Sequence, residues 1–431
     1  MPEPLLTAGW NDSGSHTINA WLARGGYEGL RRARSMAPSE VIEEVKKSAL
    51  RGRGGARFST GMKWSFVPKE GNKPVYLAVN ADEGEPGTFK DRHIMEKSPH
   101  AMIEGAAIAA HAIGAREVFV YIRGEYSAPA ERVLKAIGEA EDSGFIGGLK
   151  FTVVRGAGAY ICGEETSLLS SVEGKKGYPK LKPPFPAVSG LYKSPTVINN
   201  VETLAYLPFI MVRGGEWFAS LGTPKNGGMA LYCVSGHVNR PGVYELPMGV
   251  TLRELIEAHA RGIRGGGNLR AVFPGGSSSA VLTAGEIDVK MDSESLAAAG
   301  TMLGSGAVIV MDDSMCMAAV ARNLADFYSH ESCGQCTPCR EGTDWMAQLV
   351  RRLMRGRGRP GELDLVPEIA RMMTGKTICA LADAAAIPLS SLVAKFRGDF
   401  EAHLADQCPR CPKISGEGHE LSPSGAASFR G

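Results

Sequence analysis

The sequence predicts three folded parts in series: an α/β domain, a small α+β domain and a helical bundle. Three observations predict this order. In the first half, short apolar runs with the look of strands alternate with helical patterns and glycine loops, as in a mostly parallel sheet. Near residue 229 the texture changes to strand, strand, helix. Beyond residue 315 the apolar residues recur at helical spacing.

The elements follow in chain order. Residues 39–50 (SEVIEEVKKSAL) place Val41, Ile42, Val45 and Ala49 on one helical face, with Ser39 as the expected N-cap. The glycine-rich stretch RGRGGARFSTGMKW (51–64) comes next. PVYLAVN (74–80) reads as a buried strand that runs into the acidic loop ADEGEPGTF (81–89). AMIEGAAIAAHAIG (101–114) is a helix closed by glycine, EVFVYI (117–122) a strand, 127–140 a helix and FTVV (151–154) a strand. A second glycine loop, RGAGAYICGEE (155–165), opens a helix to about 173. The proline-rich segment 180–200 is expected to be irregular. MALYCVSGHV, PGVYELP and TLRELIEAH then suggest strand, strand and helix, and the pattern continues to about 312. In the last part Met317, Val320, Ala321, Leu324, Phe327 and Tyr328 form one stripe, Trp345, Leu349 and Leu353 a second, and Leu389, Leu392, Val393, Phe396 and Phe400 a third. The expected domains are 1–228, 229–314 and 315–431, and the last ~15 residues are expected to form a disordered tail.

Composition excludes several classes. A chain of 431 residues exceeds one ordinary core. Apolar residues at 44% and charged residues at 22% are a globular mix, and 54 glycines point to tight turns and close backbone approaches. A net charge of +2 carries no nucleic-acid footprint. No apolar run reaches the roughly 18 residues of a membrane span. The start, MPEPLLTAGWNDSGSH, lacks the basic and apolar regions of a signal peptide. A reducing compartment is therefore expected, where nine cysteines argue for metal, catalysis or burial rather than disulfides.

ESCGQCTPCREG holds Cys-x-x-Cys-x-x-Cys at Cys333, Cys336 and Cys339. Three thiolates on one short loop suit an iron–sulfur cubane, which takes four cysteines. Zinc more often uses two separated Cys-x-x-Cys pairs. The fourth ligand lies elsewhere. Cys379, in GKTICALAD, is one candidate, and Cys408 and Cys411, in QCPRCP, are the others. The latter pair sits in a proline-rich tail with no evident scaffold. Cys162, Cys233 and Cys316 read as ordinary buried residues.

The glycine loops carry the second signal. Gly52, Gly54 and Gly55 would bare backbone to a planar ring or a phosphate, although GRGG alone is as readily a turn. Phe58, Trp64 and Phe66 offer stacking faces, and Lys63 a phosphate partner. Asn80, Asp82, Glu83 and Glu85 crowd polar groups behind an apolar strand, which suits either a surface loop or a grip on ribose hydroxyls. Glu164 and Glu165 open a helix, where acids favour the dipole without any ligand. Asn199 and Asn200 follow the proline-rich segment. Together these make a nucleotide cleft plausible without identifying the nucleotide. No Ser-His-Asp set, HExxH or Walker loop is present.

RGRGG–F–TG–KWSF (51–66), VNADEGEPGTFKDR (79–92), GAGAYICGEETSLL (156–169), PPFPAVSGLY…VINNVET (183–203) and ESCGQCTPCREG (331–342) resemble the flavin-binding, NADH-oxidising subunit of bacterial respiratory complex I. The resemblance spans nearly the whole chain. It implies an FMN- and NADH-binding α/β domain with Rossmann-like features, a ubiquitin-like β-grasp domain of the soluble-ligand-binding type, and a bundle holding a 4Fe–4S cluster with Cys379 as fourth ligand. FMN would lie between Gly52, Gly54, Gly55 and Lys63 on one side and Asn80, Asp82, Tyr160, Gly163, Glu164, Asn199, Asn200 and Thr203 on the other, with Glu83 and Ile198 in the same motifs. NADH would stack among Phe58, Phe66 and Phe185, with Lys182 nearby. Glu85 would orient the nicotinamide as the catalytic position, and Glu165 would take the adenosine ribose and repel NADPH. Hydride would pass from NADH to FMN, then single electrons to the cluster and on to quinone. The implied partners are a thioredoxin-like 2Fe–2S subunit and the large iron–sulfur subunit, on the cytoplasmic side of the inner membrane, with no nucleic acid and no membrane span.

Two positions depart from the family pattern GGAGFPTG: Arg57 replaces a glycine and Ser59 a proline. Either Arg57 is strained at a positive φ, or its guanidinium reaches a nucleotide phosphate. An altered NADH affinity is expected. The nearest alternative function is the diaphorase subunit of an NAD-linked hydrogenase or formate dehydrogenase, disfavoured because no extra iron–sulfur domains are expected at either end. A zinc-stapled binding module is the alternative from another class, and a colourless protein that contains zinc would support it.

Overall fold

The computed structural model describes residues 2–405 and 407–411. The expected tail lies outside them. Four parallel strands form the first sheet: β1 (Val75–Ala81), β2 (Ala115–Ile122), β3 (Lys150–Arg155) and β4 (Thr196–Asn200), in the order β3-β2-β1-β4. β1 reads as an apolar run because both its faces are buried: Leu77 and Val79 pack into one core and Ala78 into another. The helix Pro99–Ile113 is buried almost all round and ends on Gly114 at φ 75°, the left-handed turn that glycine permits. The chain order reverses between β1 and β4. At such a switch point the loops beyond the carboxyl ends part and leave a crevice.

Two local expectations change. The end of the proline-rich segment is a strand, β4, in register with β1. Its prolines stop at Pro195, so the β-branched run Thr196–Val197–Ile198 keeps every N–H for pairing. The helix expected to start at Ser39 spans Pro38–Lys47 and is capped at Ala37. Proline at the first helical position is preset for that role, and Glu40 accepts the Ala37 N–H at 2.7 Å.

The second sheet contains β5 (Met229–Gly236), β6 (Gly242–Pro247), β7 (Leu269–Phe273), β8 (Leu282–Thr283) and β9 (Ala307–Asp312), in the order β6-β5-β9-β7-β8. β5 and β9 are parallel and the other pairs antiparallel. A helical stretch, Leu252–His259, buries Leu252, Leu255 and Ile256 in the core of this β-grasp-like unit. The helices Met317–Glu331, Thr337–Met354, Leu365–Met373, Leu381–Lys395 and Arg397–Leu404 make the bundle. One apolar core runs from Ala78, Phe119 and Ile198 of the first sheet, through Phe273 and Met311 of the second, into Met346, Val350, Leu389 and Phe400 of the bundle. Continuous burial of this kind fixes the three parts against one another.

Candidate active site

The crevice beyond β1 and β4 is a cavity of about 400 Å³, within the usual range for ligand sites. Gly54, Gly55, Asn80, Asp82, Glu83, Gly84, Glu85, Tyr160, Gly163, Glu164 and Asn200 line it, so four of the five sequence motifs that carry the resemblance meet in one place. Gly55 stands at φ 124° with open space where a Cβ would project, whereas a Cβ on Gly54 would sit 3.0 Å from Asn200 Cβ. A side chain at Gly54 would close the approach that glycine leaves open.

The acidic loop divides its work. Asp82 presents a buried Oδ2 with no hydrogen-bond partner, an uncommon state that marks a place for a ligand donor. Burial pushes its carboxyl up to about 7, against an opposing pull from Arg123. Glu83 also lines the cavity, but its carboxylate accepts the amides of Asp91 (2.9 Å) and Arg92 (3.1 Å) and the Tyr126 hydroxyl (3.0 Å). It therefore caps the helix Lys90–Lys97. Glu85 is held from two sides: Tyr160 Oη donates to Oε2 at 2.7 Å, and the Ser278 amide and hydroxyl donate to Oε1 at 2.8 and 2.7 Å. Ser278 comes from the second domain.

Beneath the first glycine loop lies a charged cluster. Lys90 Nζ is 2.8 Å from both Asp91 and Glu202, and all three side chains are buried. Asn200 donates to Asp91 at 2.6 Å, and Glu202 also accepts the Leu231 amide of β5 at 2.9 Å. Thr203 Oγ1 accepts the Arg53 amide at 2.8 Å, and Arg53 donates onward to the carbonyls of Gly227 and Met229. Thr203, Ile198 and Asn199 thus stand behind the cavity wall. Ile198 packs in the core, and Asn199 Oδ1 accepts Trp64 Nε1 at 2.9 Å. Gly52 donates to the Phe58 carbonyl at 2.8 Å, which closes the loop.

At the mouth, Glu165 lies between Lys63 (3.1 Å) and Lys182 (3.0 Å), and Lys182 also reaches Glu164 at 3.3 Å. Burial works against the Glu165 charge, but the two lysines outweigh it and hold its carboxyl below the usual range. Phe58, Phe66 and Phe185 are each more than half exposed, and Phe58 and Phe66 lie 6.1 Å apart. Exposed rings of this kind suit stacking on a planar ligand.

Arg57 has φ 53°, the left-handed region expected where the family carries glycine. Its guanidinium does not reach into the crevice. It is buried, and Nε donates to the Gly304 carbonyl of the second domain at 2.7 Å. Burial lowers its pKa to about 10, with Arg53 adding to the effect. The guanidinium thus makes an interdomain contact to a residue of the crevice wall, and its buried Nη1 has no hydrogen-bond partner.

Cys379 lines the same cavity. The neighbouring Ile378 amide points at Cys336 Sγ (3.4 Å), which brings the segment onto the cysteine loop. Burial, with Cys339 and Cys333 nearby, pushes the Cys379 thiol up to about 11, so a bound cation is what would draw off its proton. Cys336 stands at the N-cap position of the helix Thr337–Met354 and Cys339 in its first turn, where burial pushes the Cys339 thiol up. Cys408 and Cys411 lie apart from this set, with Cys408 Sγ 3.8 Å from Cys316 Sγ.

Several wall residues gave no sequence signal. Ser278, Met302 and Ser305 come from the second domain, and Ala380, Asp383 and Ile387 from the bundle. Only the close seating of all three parts brings them to the crevice. Lys90 and Asp91 were visible in GTFKDR, but their burial was not.

Residues 45–208 match the model of the Nuo51 FMN-binding domain, 230–310 the SLBB domain, and 319–403 the NADH-ubiquinone oxidoreductase-F iron-sulfur binding region. The chain is 53% identical over 421 residues to the NADH-quinone oxidoreductase F-type subunit numbered 2 of Rhizobium meliloti (strain 1021), covering 96% of this chain and all of the relative. It is 48% identical to the NADH-quinone oxidoreductase F-type subunit of Streptomyces coelicolor, covering 96% of this chain and 94% of that one. Among solved structures it resembles an NAD+-reducing [NiFe]-hydrogenase in the air-oxidized state, with TM-score 0.82 and 34% identity over 93% of this chain and 67% of the other. With these matches spanning the glycine loops, the acidic loop and the cysteine loop alike, the chain belongs to the family of F-type subunits of NADH-quinone oxidoreductase.

Proposed function

We propose that the crevice is where NADH meets FMN, and that Cys379 in its wall opens the way out for electrons. One observation carries the reading: a single cavity is walled by both glycine loops, the acidic loop and a cysteine that adjoins the Cys-x-x-Cys-x-x-Cys loop. Bound FMN would accept the hydride of NADH and pass electrons singly to the cluster.

The residues fit these groups. The bare face of Gly55 and the narrow gap at Gly54 admit a flat ring, and the unpartnered Asp82 Oδ2 awaits a donor. Asn80, Tyr160, Gly163, Glu164 and Asn200 complete the flavin side. Phe58, Phe66 and Phe185 hold the adenine end of NADH at the mouth. Glu85, fixed by Tyr160 and Ser278, orients the nicotinamide. Lys63 and Lys182 keep Glu165 ionised, so that it accepts from a ribose diol and repels a 2′-phosphate. Cys333, Cys336, Cys339 and Cys379 hold the 4Fe–4S cluster. The hydride step itself requires no proton-transferring side chain, since the hydride travels with its electron pair; the proton it brings would pass to solvent as the two electrons leave for the cluster.

The partners we propose are a thioredoxin-like 2Fe–2S subunit and the large iron–sulfur subunit, with the assembly on the cytoplasmic side of the inner membrane. No helix among the described residues is long and apolar enough to cross a membrane. The diaphorase reading has weaker support, because the hydrogenase chain is matched over 67% of its length whereas the two NADH-quinone oxidoreductase relatives are matched over 94% or more.

The test is NADH:ferricyanide activity of the purified protein, with flavin and iron assayed and NADPH as control. NADH activity in a protein carrying flavin and iron supports the assignment, and its absence overturns it. Glu165→Gln should narrow the preference for NADH over NADPH by about tenfold, equal to about 1.4 kcal/mol. An unchanged ratio of kcat/KM values removes Glu165 from that role.

A further inference from the structure

We propose that Cys316, His403, Cys408 and Cys411 form a structural zinc site, separate from the cysteines of the iron–sulfur loop. One ligand atom from each lies within 4.8 Å of every other. Cys316 Sγ is 3.3 Å from His403 Nε2 and 3.8 Å from Cys408 Sγ. A tetrahedral zinc with Zn–S bonds of about 2.3 Å sets its sulfurs about 3.8 Å apart, with a slightly shorter sulfur–nitrogen edge. A disulfide needs about 2.05 Å between sulfurs. A cubane spreads its four thiolates over four irons and needs a wider cage than this one.

Burial as small apolar residues accounts for Cys316 alone. It does not account for two part-exposed cysteines and a histidine converging on the same sulfur. The four ligands also come from places that are fixed without the ion. Cys316 stands at the N-cap position of the helix Met317–Glu331. His403 lies in the last helix, Arg397–Leu404. Cys408 and Cys411 flank a turn whose Arg410 donates to the Asp313 carbonyl at 2.8 Å and lies 3.6 Å from Asp399. Asp399 in turn accepts the Met317 amide at 2.7 Å. The turn is thus seated on the corner between β9 and the bundle, with its sulfurs towards Cys316. Three thiolates and a neutral imidazole around Zn²⁺ leave one negative charge beside Arg410. The ion would staple the segment after the last helix to the start of the first bundle helix.

The experiment is metal analysis of the full, flavin- and cluster-loaded protein from zinc-supplemented cells. We expect one zinc per chain beyond the cluster iron, with a zinc K-edge spectrum of three sulfur and one nitrogen neighbours. Cys408→Ser with Cys411→Ser should abolish the zinc, leave flavin, cluster iron and NADH:ferricyanide activity unchanged, and lower the melting temperature. Zinc that survives the double substitution, an oxygen-only zinc shell, surplus iron in place of zinc, or a Cys408–Cys411 disulfide in the unreduced protein overturns the proposal. The wild-type spectrum decides the matter even where the variant folds poorly. Loss of NADH oxidation by the wild-type protein would strike the proposed function and leave this site untouched.

Discussion

Single side chains divide into those whose chemistry follows from residue type and those whose surroundings redefine them. Asp82 belongs to the second group. Its folded-state value of about 7 exceeds the ordinary 3.8, so the folded protein holds the proton more tightly than the unfolded chain. Stability gained from the neutral form is therefore lost as pH rises from about 4 to 7. For flavin-free protein we expect Asp82→Asn to flatten that slope, by about 2–4 kcal/mol at pH 8. Glu104 is pushed up to about 7 as well, so the measurement is the difference between the pH–stability curves of wild type and variant. Parallel curves would show that the Asp82 carboxyl is solvated. The cysteines offer a sharper contrast. Cys379→Ser should lower cluster iron and quench the reduced-cluster signal in electron paramagnetic resonance, while Cys408→Ser should leave both intact. Equal losses in the two variants would reject Cys379 as the fourth ligand. Spacing alone leaves Cys379 and the tail pair open, because it carries no information about a ligand 40 residues from Cys339.

At the scale of elements, loops carry the site and strands place it. β1 was legible because a strand covered on both faces is an apolar run. β4 was hidden by the prolines before it, although Thr196, Val197 and Ile198 carried a strand signal of their own. The first glycine loop holds the departure at Arg57. A left-handed residue with a side chain costs about 1–2 kcal/mol, and the Arg57 bond to Gly304 offsets that cost. Arg57→Ala keeps the strain and loses the bond, whereas Arg57→Gly loses the bond and relieves the strain. Alanine should accordingly destabilise the protein by about 1–2 kcal/mol more than glycine, read by denaturant unfolding, with the KM for NADH unchanged in both. A shifted KM would restore the expectation that this arginine contacts the nucleotide.

On the scale of the molecule, the parts are joined by polar as well as apolar contacts. The Lys90–Asp91–Glu202 cluster sits where the first glycine loop meets β5. Removing one charge leaves buried carboxylates uncompensated, so Lys90→Met should cost about 3–5 kcal/mol. Thermal unfolding monitored by flavin release should show it, and a loss under about 1 kcal/mol would mean that water reaches the carboxylates. Glu85 shows the same dependence on assembly, because Ser278 of the second domain fixes it.

The sequence by itself determined the class of each part, the glycine, acidic and cysteine loops, and through them the family. Those features are local: periodicity, turn chemistry and short ligand spacing are properties of neighbouring residues. Only the tertiary structure decided that Cys379 shares the crevice wall with Asp82 and Glu85, that Arg57 turns to Gly304, and that Cys316 and His403 stand beside the tail cysteines. Those are contacts between residues far apart in the chain. They are selected by the burial of one continuous core across three domains, which no short window of sequence contains.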